Sequence, residues 1–165
     1  MDTADNQEYS DKMIAAFVGK EEKVSWYKNA FSKYNINGVD TMQWYWSWWA
    51  FWGGFLFLLY RKQYGPAAIL FIVSGIISAI MPFFGWLIVA ILTGGYATYF
   101  IYKGYKTKLY ELENAIADED KRVETMYVVG GYHQWVIWVY AILVLLSFVL
   151  FISYFSLLVG LASAH

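Results

Sequence analysis

Residues 66–102 read PAAILFIVSGIISAIMPFFGWLIVAILTGGYATYFIY, a run of 37 residues without a charged, amide or imidazole side chain. A helix rises about 1.5 Å per residue and the hydrocarbon core of a bilayer is roughly 30 Å thick, so the run is too long for one crossing and suits two short ones. Pro82 and Gly85 provide the break, since proline is tolerated in the first turn of a helix, where its missing N–H loses no partner. The pattern predicts a helical hairpin, 66–81 and 82–103, turning at Pro82-Phe83-Phe84-Gly85.

Two more uncharged tracts flank this one: 44–60, whose only small polar member is Ser47, and 135–164. The charges fall between them, with 5 Lys and 7 acids in 1–43, Arg61 and Lys62 alone, and 5 basic and 6 acidic residues in 103–134. A buried helix of a soluble bundle shows a polar face every 3.6 residues, and the tracts 66–102 and 135–164 show none. The expected fold is therefore an all-α integral membrane protein: a hairpin, a C-terminal transmembrane helix from Trp135, a Trp-rich helix, and a small amphipathic cap. Basic residues near helix ends favour the cytoplasm, so Arg61-Lys62 and Lys103, Lys106, Lys108 set the hairpin ends inside, the turn outside, and His165 on the far side. The segments divide as 1–40, 41–103, 104–131 and 132–165.

Of the 165 residues, 59% are hydrophobic, 22% aromatic and 15% charged, with a net charge of -1. No global basic field draws in nucleic acid, which is not an expected partner. The absence of Cys removes disulfides, thiolate metal sites and Cys nucleophiles. A mean hydropathy of only +0.39 reflects scales that score Trp and Tyr as polar, although both favour the bilayer interface.

The tract 44–60 carries five Trp, at 44, 46, 48, 49 and 52, which suits a headgroup-level belt better than a hydrocarbon span. Asp40 or Thr41 can cap a helix there, with Gln43 in capping-box spacing, giving a helix over 41–62. It is either interfacial, bending at Gly53-Gly54 and leaving the amino terminus cytoplasmic, or a fourth crossing that places that terminus outside. Trp44, Trp46, Trp48, Trp49, Trp52, Tyr60, Arg61, Lys62 and Trp135 are the expected interfacial anchors; a lipid or quinone headgroup site at the Trp cluster is the alternative to the aromatic belt.

In the polar segments, Ser10 or Asp11 can cap a short helix through Met13, Ile14, Phe17 and Val18 that Gly19 ends. Val24, Tyr27, Phe31 and Tyr34 then form an apolar stripe opposed by Lys20, Glu21, Lys28 and Lys33, stopped at Asn37-Gly38. A further stripe, Leu109, Leu112, Ile116, Val123 and Met126, predicts one helix over 105–127 with Asp118 and Arg122 paired at i, i+4, separated from the last helix by Gly130-Gly131. Short amphipathic helices need a surface to lie on, and the amino-terminal pair is expected to fold on this segment as a cytoplasmic cap, with a docking face for another protein as the sharper reading.

Chemistry is thin: two His, no Cys, and carboxylates confined to the polar segments. His133 suits the headgroup boundary, and no Walker, GxSxG or HExxH motif occurs. No ionisable group lies in the long tracts, which disfavours a proton relay. Their hydroxyls, Ser74, Ser78, Thr93, Thr98, Ser147, Ser153 and Ser156, can satisfy helix carbonyls or bridge helices. Gly75 with Ala79, and Ala90 with Gly94 and Thr98, are small residues four apart that let helices approach, within the hairpin or between copies. No catalytic residue, metal or cofactor is assigned.

Three stretches carry a family likeness: Ala16-Phe17-Val18-Gly19-Lys20 followed by Trp26-Tyr27 and Phe31; Tyr34-Asn35-Ile36-Asn37-Gly38; and Trp49-Ala50-Phe51-Trp52 leading into Leu58-Leu59-Tyr60-Arg61-Lys62-Gln63-Tyr64. Over roughly residues 14–80 the chain resembles a family of small bacterial membrane proteins classed as a domain of unknown function, with an FxGK segment, a W-x-A-F-F stretch and an L-Y-R-K-M-Y box. Trp52 stands where Phe is commoner, and Gln63 where Met is. The resemblance implies a bacterial inner membrane setting and carries no catalytic residue. The expected function is a non-enzymatic accessory or scaffold component of a membrane assembly, with membrane lipids and a protein partner or further copies of itself as partners. A homo-oligomeric channel or small-solute transporter lined by the hydroxyls and Gly94-Gly95 is the alternative, and a lipid-acting enzyme using His133 or Glu124 is a third reading.

Overall fold

The computed structural model describes residues 3–36, 38–82 and 84–163, so Asn37, Phe83, Ala164 and His165, on which the expected stop, turn and tail partly rest, lie outside the described residues. The described chain is all-helical apart from one two-residue strand pair: α1 Thr3–Val18, α2 Glu21–Tyr34, α3 Trp48–Tyr60, α4 Tyr64–Ile80, α5 Gly85–Ala115, α6 Glu119–Val129 and α7 Trp135–Ser163. Between α2 and α3, β1 Asn35–Ile36 pairs antiparallel with β2 Val39–Asp40, and Gly38 turns with φ +83. Two compact units result, residues 1–133 and 134–165. Among the described residues two helices are long and apolar enough to cross a membrane, Gly85–Ala115 in the first unit and Trp135–Val159 in the second.

The first unit is organised around α5, which runs well past the expected end at Lys103. The apolar stripe does not stop at the first lysine: Ile101, Tyr102, Tyr105, Leu109 and Leu112 continue at helical spacing. Those residues meet the cap. The ring of Tyr105 lies 5.3 Å from Phe17 of α1 and 5.4 Å from Phe31 of α2, and Tyr102 lies 5.4 Å from Phe31 and 5.5 Å from Tyr34. Such aromatic pairs add to the area they bury, which anchors helices too short to persist alone. The expected single helix over 105–127 is thus two pieces: its first half belongs to α5, and α6 starts afresh where the Asp118 carboxylate accepts from the Lys121 N–H. Arg122 does not pair with Asp118 but donates to the carbonyls of Ile116 and Ala117 in the break.

Other boundaries shift for local reasons. α1 begins at Thr3, so Ser10 and Asp11 lie inside it and not at its cap; Gly19, at φ +67, ends it as anticipated. Pro82 lies in the turn before α5 and not in its first turn, with Phe84 at the N-cap.

The largest correction concerns 41–62. Residues 41–47 are extended, and the helix starts only at Trp48, capped by Ser47, whose hydroxyl accepts from the Ala50 N–H. The extended piece lies along α5, where the N–H groups of Tyr45 and Ser47 donate to the carbonyls of Gly95 and Gly94 at 3.0 and 2.8 Å. A Cβ on Gly95 would sit 2.4 Å from the Trp44 ring, so any larger residue there must displace that ring. α3 itself breaks at Gly54, with φ 52, at the expected bend. At 13 residues it extends about 20 Å, too short for a roughly 30 Å hydrocarbon layer.

The second unit is α7 alone, beginning at Trp135 as read from the sequence. Its apolar stretch is 6% buried, against 56% in α5. Ser147 and Ser153 donate to carbonyls four residues back and so add no polar stripe to it.

Candidate functional site

The polar cap and the apolar helices of the first unit are tied at one junction. α1 and α6 end side by side, because Gly19, Gly130 and Gly131 leave no side chain between them: the Gly131 N–H donates to the Phe17 carbonyl at 2.8 Å, and a Cβ on Gly19 would lie 3.3 Å from the Gly131 Cα. Two helix C-termini therefore present carbonyls and negative dipole ends to the same place.

Cations meet them from the turn between α3 and α4. The turn closes in a Schellman motif, with the Gln63 N–H donating to the Leu58 carbonyl at 2.9 Å and the Lys62 N–H to Leu59 at 3.0 Å. The left-handed position of this motif usually holds glycine, yet here Lys62 occupies it at φ 58. At this turn the two basic side chains take different partners. Arg61 turns inward, 4% exposed, donating from Nη1 to the Val18 carbonyl at 3.0 Å. Its guanidinium carbon lies 4.8 Å from the Tyr27 ring centre and 5.6 Å from that of Phe17, and its Nε and Nη2 have no hydrogen-bond partner. One charged hydrogen bond, at about 1.5–3 kcal/mol, and ring contacts of up to about 2 kcal/mol offset its desolvation. Burial pushes the Tyr27 phenol above its ordinary pKa, opposed by the Arg61 charge.

Lys62 reaches outward, its Nζ donating to the Val128 carbonyl at 3.2 Å, and Lys108 of α5 donates to Val129 and lies 5.5 Å from the Phe17 ring centre. Lys20 lies 4.5 Å over the Tyr132 ring, which itself packs 5.1 Å from Tyr60. Arg61, Lys62 and Lys108 thus meet the two helix ends, and Lys20 borders them over Tyr132. Among the described residues the carboxylate ion pairs engage other lysines: Glu8 with Lys12, Asp11 with Lys28, and Asp40 with Lys103.

Arg61, expected as an interfacial anchor, is instead a core residue, because rings contributed by α1 and α2 close over it. Tyr60 and Lys62 are half-buried around it. Trp48, Trp49 and Trp52 stand exposed on the first part of α3, and Trp135 is exposed in the second unit. Trp44 and Trp46 lie on the extended segment over Gly95 and Gly94, with the Trp46 Nε1 buried and unpartnered. The Gly94 and Thr98 positions do make a close approach, with Ala90 half-buried beside them, but Gly94 meets Trp46 and Phe51 and not the other arm of the hairpin. Gly75 and Ala79 are exposed, and open space lies where a Cβ on Gly75 would be, so that face makes no contact of the expected kind in the first unit.

The hydroxyls of Ser74 and Thr93 donate to carbonyls four residues back. His133 contacts the Tyr64 hydroxyl through Nε2, and its N–H donates to the Tyr60 carbonyl at 2.8 Å, while Glu124 is exposed on α6. The sequence places Lys20 on a polar helix face and Lys108 among the basic residues at the hairpin end, and joins neither to Tyr132 in a site; the signals for the junction are the lysine of the FVGK stretch and the Gly130-Gly131 pair, which mark the two helix ends that meet. Comparison with protein-family models, with curated proteins and with solved structures gives no match.

Proposed function

We propose that this chain is a multi-pass integral protein of the bacterial inner membrane that serves as a non-enzymatic accessory or scaffold component of a membrane assembly. The observation that carries the reading is the contrast between surfaces. α4, the outward side of α5 and α7 expose long series of large apolar side chains, among them Ile69, Ile72, Leu92, Leu145 and Leu150. A soluble monomer rarely exposes contiguous apolar patches beyond a few hundred Å². The amphipathic helices, in contrast, bury their apolar stripes in the cap and turn charges outward. The buried arginine fixes the cap to the apolar helices, which suits a rigid display surface. The likeness of the FVGK and LYRK stretches to small bacterial membrane proteins adds to this reading, since Phe17, Val18 and Arg61 from those two stretches touch one another.

In such an arrangement α5 and α7 cross the bilayer, α4 pairs with α5 as a short hairpin arm, and α3 rests in the interface. Single cysteines at Ser10, Phe84 and Thr107, in a chain with no native Cys, test the topology by labelling from each side of the membrane. Ser10 and Thr107 are expected on the cytoplasmic side and Phe84 opposite. Gentle extraction followed by mass measurement tests the scaffold role: a copurifying protein or a defined oligomer is expected, and a strictly monomeric species with no companion would overturn it.

A further inference from the structure

We propose that the junction of α1, α6 and the α3–α4 turn binds the phosphate of an anionic phospholipid headgroup, held by Lys20, Lys62 and Lys108 with Arg61 beneath. The proposal rests on the membrane reading above. It begins with a charge imbalance. The charges of Arg61 and Lys62 both act on Lys108, with Glu111 the opposing acid. Two helix C-termini supply about half a negative charge each. Four cations are therefore answered by only part of the anionic charge they could accommodate.

Donor capacity points the same way. Lys62 and Lys108 each use one of three N–H donors on a carbonyl, and both residues are half-buried. Arg61, twenty-four parts in twenty-five buried, keeps Nε and Nη2 unpartnered and adds its field from below. Lys62 also holds a left-handed backbone position that glycine would take without strain, so its side chain stands there at a local cost.

The setting selects a lipid over a soluble phosphate. Arg61-Lys62 stand between the apolar helices α3 and α4, and Lys108 follows the apolar stretch of α5. Tyr60 and Tyr132 flank the lysines, as aromatic side chains do at headgroup depth. A basic cluster directly beside apolar helices recognises anionic headgroups.

The full chain reconstituted in nanodiscs of equal phosphatidylglycerol and phosphatidylcholine, then released for native mass spectrometry, should retain phosphatidylglycerol preferentially. Replacing Lys20, Lys62 and Lys108 by Gln should lower that preference by about tenfold or more, whereas Lys23, Lys33 and Lys121→Gln, with the same charge change at exposed positions, should leave it intact. Lys62→Gly alone should weaken the preference while keeping or raising the unfolding midpoint, which separates lost recognition from lost folding. No preference in the wild type, or equal losses in both triple variants, would overturn the proposal. Inorganic phosphate that binds the chain in phosphatidylcholine nanodiscs and displaces phosphatidylglycerol would assign the site to a soluble anion and overturn it as well. A chain that fails to enter the nanodisc refutes the membrane reading itself, and the proposal with it.

Discussion

α5 and α7 satisfy the same length and hydropathy test, yet one is 56% buried over its apolar stretch and the other 6%. The difference lies in side-chain size and in the residues beyond the apolar run. α5 carries Gly94, Gly95, Ala97 and Thr98 in succession around Tyr96, which admit the Trp44–Trp46 segment, and then a Tyr-rich stripe that receives the cap. α7 carries large apolar residues on all sides, and its Ser147 and Ser153 hydroxyls donate to their own helix. A close approach by other segments needs small residues gathered on one side, which α5 has and α7 lacks.

The harshest way to break this comparison is to remove the small face. Gly95→Leu places a branched side chain where the Trp44 ring lies 2.4 Å from a single Cβ. We expect a loss of about 3 kcal/mol or more, as for severe overpacking, read from denaturant unfolding in detergent by Trp fluorescence. A loss under about 1 kcal/mol would mean that the extended segment does not lie on α5.

Next comes the cap. Arg61→Met fills the volume but forfeits the bond to Val18, and should cost about 2 kcal/mol, with faster amide exchange over residues 101–112 as that half of α5 loses its cover. Arg61→Lys should not restore it, since one ammonium cannot reproduce the planar contact with Tyr27 and Phe17. Lys62→Gly works in the other direction and should stabilise by about 1 kcal/mol; destabilisation would show that the bond to Val128 outweighs the strain. The smallest effect belongs to α7, where Leu146→Ala should change the unfolding free energy by less than about 0.5 kcal/mol. A larger shift would reveal a packing partner for α7 and erase the contrast with α5.

Much of this architecture was legible in the chain. The uncharged tracts located α4, α5 and α7, Gly19 ended α1, and the Val24-to-Tyr34 stripe gave α2. What escaped was information carried by contacts distant in sequence. Lys103 looked like a boundary because a charge usually ends an apolar helix, but the stripe through Tyr105 and Leu112 continued in register past it. Trp44, Trp46 and Trp48 recur at period two, the signature of an extended segment, and the capping-box spacing from Asp40 outweighed it. Arg61 beside an apolar tract reads as an exposed anchor by every local rule, and only the rings of Phe17 and Tyr27 make it a core residue. The lysine gathering was invisible for the same reason, being assembled from three segments.

The bond from Arg61 to Val18 closes a loop of 43 residues, and that from Gly131 to Phe17 closes a far longer one. During synthesis the first two helices therefore emerge from the ribosome long before their docking surface exists, roughly ten seconds at ordinary elongation rates. Their sticky sides stay uncovered through that interval, until the second half of α5 and then α6 have followed them out.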